Sequence, residues 1–244
     1  MNGFRVLIVI VTAILRHSSE AHHYLCARVR RSSGVMSILM LLFLRCITQP
    51  AAAADFDALF GYTQVPQADI SVFPQWLDVL EKQLVEQASV SDCRAEHILT
   101  RCDLQSWRDY LDDIRHLPRD EQLAAVNRFA NEQKYVLDIE NYGLEDYWAA
   151  PDLFLENGGD CEDYVIVKLF SLRWLGWPLT DMRLVVVQDT NLRMAHAVLA
   201  VADAADVWIL DNLVSRIVPE RTIVHYAPVY SISERQWWLH LPRS

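Results

Sequence analysis

Cysteine, histidine and aspartate, in that order along a chain, can supply a thiol nucleophile, its proton acceptor and the group that orients the acceptor. Cys161 follows the turn-forming run Glu156-Asn157-Gly158-Gly159-Asp160 and opens the apolar stretch Cys161–Leu175. This pattern predicts a glycine-rich turn leading into a helix. The first turn of a helix carries unpaired N–H groups and a partial positive charge, which stabilise a thiolate and can hold the oxyanion of a tetrahedral intermediate. A cysteine there can equally be an inert core residue, so its partners matter. His196 lies in Met194-Ala195-His196-Ala197-Val198-Leu199, near the start of an apolar strand-like run, and Asp211 follows the next such run in Ile209-Leu210-Asp211-Asn212. Adjacent antiparallel strands can bring imidazole and carboxylate side by side, the first as base for the thiol and the second to fix its tautomer. A structural histidine and a turn-forming aspartate are the alternatives at these positions.

Asp160, Glu162 and Asp163 add three carboxylates around the turn that bears the cysteine. Hard oxygen ligands suit Ca²⁺, while acidic residues in a first helical turn also serve as caps; both readings stand. Gly158 and Gly159 allow a substrate to approach the backbone closely. Trp148, upstream of the cysteine, is a candidate second oxyanion donor, with core packing as its alternative.

The elements that must position these groups change character along the chain. Ser71–Gln87 has apolar residues at Val72, Trp76, Leu77, Leu80 and Leu84, a helical spacing. Leu104–Ile114 reads as a short helix, and Pro118–Gln133 as another with Asp120 as its cap. Asn141–Ala150 is aromatic-rich and irregular, closed by Pro151. Gly176 and Pro178 stop the helix that begins at Cys161. Beyond them the period shortens: Met182–Gln188, Ala195–Val201, Val207–Leu210 and Thr222–Tyr226 are short β-branched runs with polar breaks, predicting antiparallel strands. Helices first and a sheet last predict an α+β domain.

Charge and composition narrow the class. Residues 1–54 hold six of the 22 Lys/Arg and one of the 32 Asp/Glu, leaving 16 basic against 31 acidic residues in the rest. So acidic a domain does not seek nucleic acid or anionic lipid through its net field. Within the first 54 residues, Arg28, Arg30 and Arg31 precede the apolar Val35–Leu44, which is followed by Ala51–Ala54. That order predicts a secretory signal peptide cut near Ala54–Asp55, with an uncleaved anchor as the alternative. A second apolar run, Phe4–Leu15, leaves the true start site open. The reading is therefore a leader over 1–54, one domain over 55–244, and no stable membrane insertion once the leader is removed. In the mature chain, Cys93 and Cys102 can close a small disulfide loop or, with His97, contribute to a metal site. Pairing the two leaves Cys161 as an odd thiol.

Helix-borne cysteine, then strand-borne histidine and aspartate, is the arrangement of papain and the transglutaminases. Gly158-Gly159-Asp160-Cys161-Glu162-Asp163-Tyr164, His196-Ala197-Val198-Leu199 and Leu210-Asp211-Asn212-Leu213 resemble the bacterial transglutaminase-like cysteine proteinases, among them the LapG-type periplasmic proteases. The resemblance runs from about Trp76 to Trp238. It implies a papain-like, transglutaminase-like fold with Cys161 as nucleophile, His196 as base and Asp211 as orienter. It further implies Ca²⁺ dependence, with Asp160 and Glu162 as calcium ligands. It implies a periplasmic endopeptidase that cuts the N-terminal retention region of a large surface adhesin, releasing it and dispersing a biofilm. Its implied partner is an inner-membrane LapD-type receptor for cyclic di-GMP. A transglutaminase-like acyltransferase on the same three residues, with an amine resolving the acyl-enzyme, is the alternative. A non-catalytic binding module is a third reading.

Overall fold

The period of the apolar residues changes near Gly176, and so does the fold. The structure, a computed structural model, describes residues 56, 58–88, 99–203 and 206–243, and for 87–88 and 99–102 the backbone alone. Among the described residues, six α-helices come before that point: α1 Pro74–Ala88, α2 Leu99–Ile114, α3 Arg119–Asn131, α4 Asp138–Asn141, α5 Pro151–Asn157 and α6 Cys161–Trp174. Strand β1, Thr63–Gln67, precedes them. After it come β2 Met182–Asp189, β3 Met194–Asp203, β4 Asp206–Leu210, β5 Val218–Pro219, β6 Tyr226–Ile232 and β7 Trp237–Leu241. All pair antiparallel in one seven-stranded sheet of order β1-β7-β6-β2-β3-β4-β5. The α+β expectation holds.

Strand β3 sits near the middle of the sheet and is buried from His196 through Ala202. Continuous burial means that both faces of the strand are covered. On one side Phe56 and Leu59 pack over Val185, Val187, Val198, Ala200 and Ile209. Helix α6 packs against β2 and β3, and α3 and α5 pack in turn against α6. Helix α6 is buried from Asp163 to Leu172, including Lys168 and Ser171. A helix enclosed on all sides is a rigid mount for its own first turn. It ends at Leu175, where the N–H groups of Gly176 and Trp177 bond back to Arg173 and Leu172 and Gly176 takes a φ of 94°.

Three local expectations need correction. Asp120 does not cap α3. Pro118 holds that position with an extended ψ of 153°, its carbonyl accepts the Gln122 N–H, and Asp120 falls inside the first turn. Thr222–Tyr226 is not a strand. Pro219 starts a 3₁₀ turn over Glu220–Thr222, Val224 is 92% exposed, and pairing resumes only at Tyr226. Pro151 opens helix α5 as well as closing the irregular segment before it; its fixed φ suits a first helical position. Strands β1 and β7 were not anticipated. β1 contains Pro66, which lacks an N–H and is tolerated because β1 is an edge strand.

The expected leader over 1–54 lies outside the described residues, as do Cys93, His97 and the side chain of Cys102. No helix of the described residues is long and apolar enough to cross a membrane.

Candidate active site

Cys161 is the first residue of α6. The turn that delivers it depends on two glycines. Gly158 has a φ of 74°, and a Cβ there would lie 2.1 Å from the Lys134 carbonyl oxygen. A Cβ on Gly159 would lie 2.1 Å from a carboxylate oxygen of Asp163. The glycines therefore admit the chain's own atoms, the Lys134 backbone at Gly158 and the Asp163 side chain at Gly159, and not a substrate; Gly159 N–H also donates to Lys134 and its carbonyl accepts from Val136. This clamp fixes the loop from which Cys161 emerges.

The three acidic residues of the turn divide by role. Asp163 is fully buried and reaches back to accept the N–H of Asp160 at 3.1 Å and that of Ala149 at 2.7 Å. It is the capping carboxylate. Glu162 accepts a hydrogen bond from the Cys161 thiol at 3.2 Å. Asp160 keeps a buried Oδ1 with no hydrogen-bond partner. Asp138, at the start of α4, joins them: its Oδ2 accepts the Tyr147 N–H at 2.6 Å, and its Oδ1 is buried without a partner. Asp146, braced by Trp148 and Gln75, completes the group. Ligand oxygens of Asp138, Asp160 and Asp163 lie within 4.8 Å of one another, as do those of Asp138, Asp146 and Glu162.

Such crowding raises carboxyl pKa values by burial first and by mutual repulsion second. Asp138 is pushed up to about 6, chiefly by burial. Glu162 is held well above its usual range by burial and by the Asp160 charge, and burial does the same to Asp163. Cys161 retains some open surface, yet its sulfur is closely packed. Burial and the charges of Glu162 and Asp160 push the thiol well up, while the Ala197 N–H works the other way. An all-oxygen cluster with two orphaned buried oxygens and no basic partner in the group fits a hard divalent cation. Asp160 and Glu162 were anticipated as such ligands. Asp138 and Asp146 were not, because they come from a segment remote in sequence.

The Ala197 N–H places β3 beside the sulfur, and His196 is the preceding residue of that strand. His196 is buried opposite Val187 in the sheet register. Its Nε2 meets Asp211 Oδ1 at 2.9 Å. Asp211 stands just past β4, whose Leu210 pairs with Leu199 on β3. Two further donors hold the carboxylate: the Leu213 N–H at 2.8 Å and the Tyr226 hydroxyl, at 2.6 Å from Oδ2. Burial opposes the charge on Asp211, but His196, Tyr226 and Leu213 outweigh it and hold its carboxyl below the usual range. An ionised Asp211 accepts a hydrogen bond from Nε2–H and so leaves Nδ1 as the free ring nitrogen. The structure thus brings imidazole and aspartate together as expected, with the strand of the imidazole lying against the thiol. Sequence reasoning missed Tyr226. It stands at the start of β6, and no local pattern ties it to Asp211.

Trp148 is not free to serve an oxyanion. Its indole N–H donates to Asp146 Oδ1 at 3.0 Å, and its ring packs edge-on to Trp76. It steadies the carboxylate group instead.

The sequence profile of the bacterial transglutaminase-like cysteine proteinases (BTLCP) matches residues 93–244. The chain belongs to this family. It is a cysteine peptidase, with the transglutaminase-like fold described above. Solved structures agree. Legionella pneumophila LapG in calcium-bound form shares 32% identity at a TM-score of 0.53, covering 66% of this chain and 87% of that one. A second structure of Legionella pneumophila LapG gives the same values. LapG treated with EGTA shares 32% identity at a TM-score of 0.53, over 66% of this chain and 84% of its own. No curated protein sequence matches the proteinase.

Proposed function

We propose that this proteinase is a calcium-dependent periplasmic endopeptidase in which Cys161 attacks the peptide carbonyl, His196 moves the proton and Asp211 orients His196. The observation that carries the reading is the buried His196–Asp211 bond of 2.9 Å on a strand whose next N–H, from Ala197, bears on the Cys161 sulfur at a helix N-terminus.

The chemistry follows from the groups in place. His196 Nδ1 takes the Cys161 proton, and Asp211 stabilises the imidazolium through Nε2–H. The sulfur forms a bond to the carbonyl carbon, and first-turn N–H groups of α6 receive the oxyanion. Collapse of that intermediate breaks the C–N bond, and His196 returns its proton to the leaving amine. Water, deprotonated by the same imidazole, then releases the acyl group and regenerates the thiol. Calcium, held by Asp160 and Glu162 with Asp138 and Asp146 beside them, would neutralise the carboxylates that raise the thiol and would fix its loop. The calcium-bound and EGTA-treated forms of LapG support this assignment.

The substrate we propose is the N-terminal retention region of a large surface adhesin, whose release disperses a biofilm. The regulator is an inner-membrane LapD-type receptor for cyclic di-GMP. Support for both comes from the family and from the segment Gly158–Tyr164 that carries the resemblance. The test is to mix the purified protein with a candidate adhesin N-terminus, with and without EGTA. One cut, abolished by EGTA and by Cys161→Ala, is expected. Cleavage indifferent to EGTA would remove calcium, and an intact adhesin beside a cleaved generic peptide would remove the adhesin.

A further inference from the structure

The end of α3 and the residues just after it, Asn127–Val136, touch the site at two places. On one side they hold the loop of Cys161. The Gly159 N–H donates to the Lys134 carbonyl, the Val136 N–H donates to the Gly159 carbonyl, and the Tyr164 hydroxyl donates to the Gln133 carbonyl at 2.7 Å. On the other side they hold the turn of Asp211. Asn131 Nδ2 donates to the Asp211 carbonyl at 2.8 Å, and Asn127 Nδ2 donates to the carbonyls of Val214 and Ser215, at 3.2 Å each. The two asparagines stand one turn apart and so share a face of α3.

Local preference does not put them there. Asparagine is a weak helix former, because its amide competes with the backbone for hydrogen bonds. Asn127 is nonetheless 0% exposed, and the Oδ1 of each asparagine is buried without a partner. An apolar side chain would fill the space without that cost. It could not donate to the turn, and the turn has few other anchors. Among the described residues no backbone–backbone hydrogen bond holds 212–216, and Leu213 and Val214 are exposed. The Leu213 N–H bond to Asp211 Oδ1 fastens the turn only to itself. His196 and Tyr226 grip the carboxylate and leave the main chain alone.

We propose that Asn131 is a positioning residue for the reaction, with Asn127 bracing the far end of the same turn. Together they tie the main chain of Asp211 to the segment that clamps the Cys161 loop, and so set where Asp211, and His196 with it, stands relative to the sulfur. The proposal rests on reading Cys161, His196 and Asp211 as the reacting set. A drift of about 1 Å in that main chain would carry Asp211 Oδ1 out of hydrogen-bond range of His196 Nε2, now 2.9 Å away.

The test uses the full, calcium-loaded chain and iodoacetamide near neutral pH. The alkylation rate of Cys161 is followed by peptide mass spectrometry, so no adhesin is needed. Asn131→Ala is expected to slow that rate by roughly fivefold, the weight of one hydrogen bond in the thiolate–imidazolium balance. Asn131→Asp, the same size without the N–H, should slow it at least as much. In an Asp211→Asn background, Asn131→Ala should change the rate by less than about twofold, because the group it acts through is gone. An equal fall in both backgrounds overturns the proposal, since a loosened fold would produce it. A native rate in either Asn131 variant overturns it as well. Asp211→Asn alone separates the two readings. If that variant alkylates at the native rate, the reading of the reacting set has failed and the proposal with it. If it is slowed while Asn131→Ala tracks the native protein, only the Asn131 assignment falls.

Discussion

The surroundings of the Asp211 carboxylate and those of the carboxylates around Cys161 have opposite characters. Around Asp211 every acceptor is answered: His196 Nε2 and the Leu213 N–H reach Oδ1, and the Tyr226 hydroxyl reaches Oδ2. Its carboxyl lies below the usual range although burial opposes that. Around Cys161, Asp138 and Asp160 keep unanswered oxygens, and Glu162 takes the thiol proton's hydrogen bond. There the carboxyls of Asp138, Glu162 and Asp163 all move upward. Residue type does not decide the role; the supply of donors does. One group is complete within the chain and suits holding an imidazole. The other is incomplete within the chain and suits an external cation.

The contrast breaks most sharply at Asp211. Asp211→Asn keeps the shape but reverses the hydrogen bonding to Nε2, so the imidazole carries its proton on the wrong nitrogen. A fall in kcat/KM of about 10³–10⁴ is expected, with unchanged circular dichroism. A fall below about tenfold would mean that His196 does not need this partner.

The carboxylate cluster should respond to calcium instead. At a hundredfold excess over Kd, calcium should add about 2.7 kcal/mol of stability to the native protein. For a domain of this size that is roughly 5–10 °C in Tm by differential scanning calorimetry. Asp160→Asn and Glu162→Gln should each remove most of that gain while leaving the Tm in EGTA equal or higher, since each relieves repulsion. A calcium-induced shift that survives both substitutions would place the ion elsewhere.

Tyr226→Phe tests the completed side more gently. It removes one hydroxyl donor to a carboxylate, worth about 1.5–3 kcal/mol. A drop in kcat/KM of roughly ten- to 150-fold is expected where one such bond is lost from the transition state. Unaltered kinetics would show that Leu213 and His196 suffice to hold Asp211.

The same contrast explains what was legible in the sequence. Cys161, Asp160, Glu162 and Asp163 were visible because glycine-rich turn chemistry and a helix start are local signals within one short segment. His196 and Asp211 were visible because two short β-branched runs imply neighbouring strands, and the register confirms them as neighbours. Asp138, Asp146 and Tyr226 were not. Each acts through a contact that tertiary packing creates between segments distant in the chain, and their own surroundings in sequence resemble ordinary loop, strand or helix. The edge strand β1 and its neighbour β7 escaped for a related reason: proline-bearing and aromatic-rich strands lack the clean alternation of a half-buried strand. Gly158 and Gly159 were recognised, but with the wrong occupant of the space they leave. A missing Cβ shows that something comes close without showing what.

The smallest effect is a difference in pH response between the two sides. Asp138 has a folded value of about 6, above its ordinary 3.8. Between those values the folded state binds more protons than the unfolded chain, so stability falls as pH rises through that window. Glu162 and Asp163 are raised too and act in the same direction. Asp211 is lowered, so its contribution is present above its ordinary value and is lost only as pH falls through its depressed folded value. In EGTA the Tm should therefore decline from pH 5 toward pH 7.5. Calcium binds the deprotonated carboxylates and should flatten or reverse that decline. Asp138→Asn should flatten it in EGTA as well, while leaving the acid limb below pH 4 in place. Parallel Tm curves with and without calcium across this range would mean that the ion and the raised carboxyls do not share a site.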